Sequence, residues 1–445
     1  MWISLGFAAI FVSALAVEPF PLEDSALFEY AGRAMSHGQR LYLDVWDNKL
    51  PSIFFVNEAW QALFGQRYFL HVAAQTLVNA LSVALFAAIL LQSRIAGWAL
   101  ASSAFAVLIS FRYFNSSEQY ALACILLAYL LALRGNGVGS GIVLALATTF
   151  WIPAIVLAIP LLVREKDGPT RWRFALAFGI TLGAYAAIML AAFGGGVVRE
   201  LVRSWFWYEH HSRPGGVTGT RSPFRIVSLL YSVAIASAVG PLIALLFLVI
   251  RKPRSGTESF ALWWSGSALA AAAVNSHLYS QHFLPAIAPL LFAIAAYGFT
   301  WSTVRPRIVL ALAAGGLAWA WVTYTISDIR SQKTAAADAR MVGDRIQRAL
   351  GTDAVIFSEA YAPEIYLASA ASLPDRFAIV APIAAMQPFI ESRSGVRARG
   401  PAVVLIRRRP NERPHTGEES LVCGRAIGSW EIHASPATIS KFACR

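Results

Sequence analysis

The sequence predicts an all-α polytopic membrane domain followed by a small C-terminal α/β soluble domain, on three observations. Hydrophobic residues make up 57% of the 445 and charged residues 14%, against roughly 45–50% and about 25% in soluble domains. The apolar residues gather into ten long runs, and from residue 327 to the end no such run recurs while 28 of 119 residues are charged. This composition excludes an ordinary soluble enzyme, a disordered chain, a collagen and a small disulfide scaffold.

The runs lie near 2–17, 70–91, 95–111, 118–133, 138–163, 174–193, 226–250, 260–276, 283–301 and 308–326, each close to the ~20 residues that cross a bilayer. Trp151, Pro153 and Pro160 interrupt the fifth. It therefore reads as a hairpin of two short helices with Arg134 and Arg164 both in the cytoplasm, which makes eleven membrane helices. With the N-terminus inside, the short cytoplasmic loops total about 32 residues with 11 Lys and Arg, against about 96 outside with 10, and this density sets the orientation. The first run ends in Ala14-Leu15-Ala16 without a basic stretch before it, so it reads as an uncleaved helix.

Thirty-seven basic residues against 25 acidic give a formal charge of +12. All of the basic residues lie between or after the apolar runs, where they suit membrane lipid headgroups and phosphates. No nucleic-acid-binding signature accompanies them.

From residue 327 on, 16 basic and 12 acidic residues occur among 119, against 34 charged residues in the preceding 326. The chain thus divides into 1–326 and an extracytoplasmic 327–445. Helical spacing over Ala336–Leu350 is closed by Gly351, β-type runs follow at Ala354–Phe357 and Val403–Ile406, and a helix follows Pro363. Cys423 and Cys444 share this exported tail and are expected to pair; Cys124 sits in a membrane helix as a core residue.

The first outside loop, 18–69, is net negative on a basic protein: Glu18, Glu23, Asp24, Glu29, Asp44, Asp47 and Glu58 oppose only Arg33, Arg40, Lys49 and Arg67. Long loops in compact folds are commonly functional. A helical stretch from Ser25 to Met35 is entered through Glu23-Asp24, where Asp24 serves either as a helix cap or as a reacting group.

Glu23-Asp24, Arg33 nine residues after Asp24, Gly38, Tyr42, Asp44-Val45-Trp46-Asp47 and Lys49-Leu50-Pro51 resemble the first outside loop of the GT-C class glycosyltransferases. The branch is that of the protein O-mannosyltransferases and the aminoarabinose transferase acting on lipid A. In topology the resemblance covers most of the chain, while its specific motifs occupy this loop and a few shorter stretches. It implies a GT-C-like fold in a bacterial inner membrane, a polyprenyl-phosphate sugar donor, a glycan, lipid or protein acceptor, and inversion at the anomeric carbon. Asp24 is implied as the catalytic carboxylate because its spacing to Arg33 and Met35 matches the family pattern. Glu23 is the alternative, since the family has Asp-Glu where this chain has Glu23-Asp24-Ser25, and Lys-Pro-Pro where it has Lys49-Leu50-Pro51. Lys49 is implied as a phosphate-binding cation, with Arg33, Tyr42, Asp44 and Asp47 supporting the loop.

In the next outside turn, Asn115-Ser116-Ser117-Glu118 puts Glu118 where many relatives place a second carboxylate as Asp. It reads equally as a favourable charge at a helix N-terminus. Glu118 and Asp24 together suit a base with its orienting partner or a divalent-metal site, and the residues leave both open. Between 194 and 225, Arg199 and Arg203 stand four residues apart, on one face of a helix at headgroup depth beside Trp205 and Trp207. The aromatics suit an interfacial anchor; the arginines also suit a lipid phosphate, because a planar guanidinium pairs with it bidentately. His277, Tyr279 and His282 resemble a His-Tyr-rich stretch between the late helices of the same branch and are candidates to touch phosphate or sugar. No histidine pair has zincin spacing. The glycine run from Gly135 to Gly141 lacks the Lys and Ser/Thr of a nucleotide loop and reads as a flexible turn.

A polyprenyl phosphate departs as a stabilised anion, so the transfer needs a base for the acceptor hydroxyl and cations for the phosphate, without an essential general acid. Asp24 fits the first role; Lys49, Arg199 and Arg203 fit the second. The rival class is a transporter or flippase. Ion-coupled carriers keep ionisable groups inside their spans, whereas here none of the 62 Lys, Arg, Asp and Glu residues does so except Glu118 at an edge.

Overall fold

The computed structural model describes residues 18–95, 97–110, 115–164, 167–211, 255–274, 280–296 and 329–351, with shorter stretches of the first run and of the tail. In chain order the helices are α1 (Glu23–Ser36), α2 (Ser52–Phe64), α3 (Tyr68–Gln92), α4 (Trp98–Ile109), α5 (Ser117–Leu133), α6 (Gly137–Phe150), α7 (Ala158–Arg164), α8 (Gly168–His211), α9 (Gly256–Val274) and α10 (Leu284–Ala296). A 3-10 turn at Ile152–Leu157 precedes α7 and another at Ser280–Phe283 precedes α10. The tail carries α11 (329–350), β1 (Ile356–Ser358), α12 (Pro363–Ser369), β2 (Val403–Arg407), β3 (Ser420–Leu421) and β4 (Trp430–Ala434). The chain divides into two compact units: Met1–Val17, Val72–Ala192 and Ser212–Ser327 form the first, and Glu18–His71, Phe193–His211 and Asp328–Arg445 the second.

The first unit is a helical bundle whose aromatic centre is Trp264 of α9, stacked on Tyr129 of α5 at 4.3 Å and tilted against Phe292 of α10 at 5.4 Å. The Tyr129 hydroxyl donates to Leu157 O at 2.9 Å, satisfying a carbonyl where the 3-10 turn abandons the α-helical pattern. That turn falls at the expected interruption of the fifth run, directly after Trp151. The glycine run is ordered packing rather than a flexible turn. Only Gly135 and Asn136 turn the chain, and the Asn136 side chain caps α6 by accepting from Gly139 N at 2.8 Å. Gly141 then lies so close to α8 that a Cβ would come within 2.5 Å of Phe174 O.

Tyr68–Gln92 and Gly168–Phe206 are long and apolar enough to cross a membrane, but α4, with 12 residues, is shorter than the run that predicted it. Twelve residues rise only about 18 Å, against a hydrocarbon core of about 30 Å. At the end of α4 the cause is local: Ser110 is extended and its hydroxyl turns back to Ala106 O. Runs 226–250 and 308–326, most of 2–17, and so the count of eleven, lie outside the described residues.

In the second unit α1 crosses α2 with little space between the backbones. A Cβ on Gly32 would lie 2.5 Å from the Asn57 carbonyl carbon, and Phe28 meets Phe54 edge-on at 5.6 Å. Gly32→Ala is therefore expected to cost about 1–3 kcal/mol by forcing the helices apart. An unchanged thermal unfolding midpoint in detergent would show that α2 yields freely. Another side of α1 packs on α12: Tyr30 meets Tyr366 edge-on, and its hydroxyl donates to Ala371 O at 3.2 Å. The sheet has the order β1-β2-β4-β3, with β1 and β2 parallel and β4 antiparallel to both β2 and β3. A parallel pair requires a crossover, and α12 lies within it. Gly351, at φ +72, ends α11 by bonding back to Gln347 O.

Candidate active site

Leu22 is the N-cap residue of α1, and its side chain makes no capping hydrogen bond. Asp24 is the second residue of the helix and does not occupy the N-cap position. Glu23, the first residue, has φ +51, a left-handed conformation that costs a non-glycine residue about 1–3 kcal/mol and persists where its surroundings enforce it. Glu23 is exposed. Asp24, half-exposed, meets the only lysine of the loop: Lys49 Nζ lies 3.3 Å from Asp24 Oδ2.

Lys49 is held from several sides. Its ammonium lies 3.7 Å from Asp47 Oδ1 and 5.1 Å from the centre of the Phe28 ring, one helical turn after Asp24. Its backbone N–H donates to Asp47 Oδ1 at 2.8 Å, and its carbonyl accepts from the Tyr42 hydroxyl at 2.6 Å. Tyr42 itself has φ +65 and is fully buried among Trp46, Phe54 and Phe193. Burial holds the Asp47 carboxyl above its ordinary range, and Asp24 adds to this, while Lys49 and the backbone N–H groups of residues 48 and 49 oppose it. One ammonium thus serves two carboxylates, one buried and one open to solvent.

The other loop residues separate from this cluster. Asp44 closes the 40–44 turn, accepting from Arg40 N at 2.7 Å. Arg33, at the far end of α1, donates to Leu367 O at 3.3 Å and so ties the loop helix to α12. Arg199 and Arg203 are exposed on α8 beyond Gly194, whose φ of 77 and ψ of 155 break the helix at the expected end of the sixth run. Beyond this break the chain resumes as the helix on which Arg199 and Arg203 share a face. Leu201 and Ser204 are its buried side, and Val202 and Phe206 share the arginines' exposed side.

Glu118 belongs to the first unit. It starts α5 behind Ser116, whose side chain caps the helix by accepting from Gln119 N. Glu118 Oε1 lies 2.9 Å from His282 Nδ1, and Oε2 accepts from the Ser117 hydroxyl at 3.1 Å. Two residues taken from the sequence as separate candidates, 164 positions apart, are thus one carboxylate–imidazole pair. His277 and Tyr279, like Cys423 and Cys444, lie outside the described residues. Among the described residues, no three His, Cys, Asp or Glu side chains gather closely enough to hold a metal ion.

Sequence reasoning missed Phe28 as the ring beneath Lys49; its spacing of four from Asp24 was the available signal. It also missed a buried cluster of Glu29, Gln61 and His71, which no local pattern marks.

No family model and no curated protein matches the sequence. Among solved structures, ArnT from Cupriavidus metallidurans bound to undecaprenyl phosphate matches with a TM-score of 0.60 at 15% identity, over 98% of both chains. The apo state of the same protein matches with a TM-score of 0.62 at 14% identity, again over 98% of both chains. The chain has the GT-C fold, in the ArnT-like form that its first loop resembles.

Proposed function

We propose that this protein is an integral membrane glycosyltransferase that moves a sugar from a polyprenyl-phosphate donor to an acceptor hydroxyl. The observation that carries the reading is the Asp24–Lys49 pair at 3.3 Å, a basic oxygen beside a cation in the loop whose residues resemble the GT-C motif. The lipid-phosphate donor is supported by a fold shared over full length with a protein solved with undecaprenyl phosphate bound.

In the reaction the acceptor oxygen attacks the anomeric carbon as the bond from that carbon to the phosphate oxygen breaks, with inversion. The hydroxyl proton passes to the Asp24 carboxylate, and the electron pair leaves with the phosphate. Lys49 receives the growing phosphate charge, a donor placed where charge develops. Arg199 and Arg203, whose exposed side also carries Val202 and Phe206, are suited to hold a lipid phosphate at headgroup depth. Residues 1–326 form the membrane part and 327–445 an extracytoplasmic part, with the site on the outer face of the bacterial cytoplasmic membrane.

Glycolipid and envelope-glycan analysis of a deletion strain tests the reading. One sugar should vanish from a glycoconjugate while its polyprenyl-phosphate donor accumulates. Unchanged glycans together with an unchanged donor pool would overturn it.

A further inference from the structure

The middle of α1 buries a carboxylate that the proposed chemistry does not use. Glu29 and His71 are each 2% exposed in their side chains. Gln61 Nε2 donates to Glu29 Oε2 at 2.8 Å, and His71 Nδ1 lies 2.8 and 2.9 Å from the two Glu29 oxygens. The other ring nitrogen, Nε2, lies 2.8 Å from Gly65 O at the end of α2. A backbone carbonyl only accepts, so Nε2 carries a hydrogen. Nδ1 faces carboxylate oxygens, so a second proton lies between it and Glu29, on the imidazole or on the carboxyl. Without that proton, a nitrogen lone pair would face a carboxylate oxygen at hydrogen-bond distance, sealed from water.

The surroundings isolate this proton. The Phe64 ring of α2 and the Tyr68 ring of α3 stand 5.9 and 5.6 Å from His71. Three elements meet at one proton: α1 through Glu29, α2 through Gln61 and Gly65 O, and the first turn of α3 through His71.

We propose that Glu29, Gln61 and His71 are positioning residues whose shared buried proton locks α1 against α2 and the start of α3, and so holds Asp24 in place for transfer. The role in transfer rests on the function proposed above. Asp24 precedes Glu29 by five residues on the same helix, about 7.5 Å along its axis, and a misplacement of about 1 Å at a reacting group costs on the order of 10²-fold in rate.

The test uses the full-length protein in lipid nanodiscs. Hydrogen exchange of α1 is read against α6, which carries no titratable side chain, alongside donor turnover. Glu29→Gln/His71→Gln should exchange faster in α1 but not in α6, and should lose roughly 10²-fold in turnover with donor KM nearly held. Gln61→Leu, which removes one bond and keeps the Glu29–His71 contact, should do the same to a smaller extent. Exchange of α1 that is unchanged in both variants overturns the lock, and faster α1 exchange with turnover unchanged overturns its role in placing Asp24. Faster α1 exchange in a protein that consumes no donor overturns instead the transferase reading and the positioning role built on it.

Discussion

Asp24→Asn is expected to lower turnover by roughly 10²- to 10⁴-fold while donor binding persists, because a base acts in the transition state rather than in the ground state. Asn keeps the shape and loses the basicity. Asp24 is the second residue of α1 and not its cap, so the helix loses only the interaction of a charge with its N-terminus, about 0.3–1 kcal/mol. Glu23→Gln, made alongside, should stay close to the wild-type rate, since Glu23 is exposed while Asp24 faces Lys49. The comparison is read from single-turnover kinetics with a polyprenyl-phosphate donor. If Glu23→Gln abolishes turnover and Asp24→Asn does not, the base is the neighbouring residue. If both variants keep full turnover, the mechanism is wrong.

Lys49→Met is expected to weaken donor binding by about 1.5–3 kcal/mol, the usual loss of a hydrogen bond to a charged group, which is on the order of 10- to 150-fold in affinity. The competing role for Lys49 is structural, as counter-ion to buried Asp47. The double variant Lys49→Met/Asp47→Asn separates the two: a phosphate-binding lysine leaves the double variant as weak as the single one, whereas affinity restored in the double assigns Lys49 to the loop. Stability gives a second readout. A carboxyl whose value is raised by folding favours the folded state while protonated, and that contribution is lost as pH rises from the ordinary carboxylate range through the raised value. Asp47 is such a group, and Lys49 is one of the influences holding it down. In Lys49→Met the pH-dependent loss of stability should therefore extend to higher pH, and it should vanish once Asp47 is also replaced.

The features legible in the sequence are those that local chemistry decides. Apolar runs of nearly constant length, Trp151 and Pro153 inside one of them, Gly351 closing a helix and the acidic loop with its motif residues are all visible along the chain. They located α1, the described helices of the bundle, the interruption at Ile152–Leu157 and the loop that holds Asp24 and Lys49, but not α2, which lies in that same loop. Hydropathy did less well on helix length, because a run stays apolar past the point where Ser110 turns the backbone out of α4. It also misread the glycine run, where the absence of side chains serves close packing against α8 rather than a loose turn.

Tertiary structure alone decided which charges meet. Periodicity reports on neighbours three or four residues apart, whereas Glu118 and His282 are 164 residues apart, Glu29 and His71 are 42 apart, and Arg33 and Leu367 are 334 apart. A buried charge is tolerable only with its partner in place, so the meaning of each of these residues depends on a contact that the chain creates by folding. Asp24 could be picked out from the sequence as a candidate; that it faces Lys49 was decided by the packing of α1 against the rest of its unit.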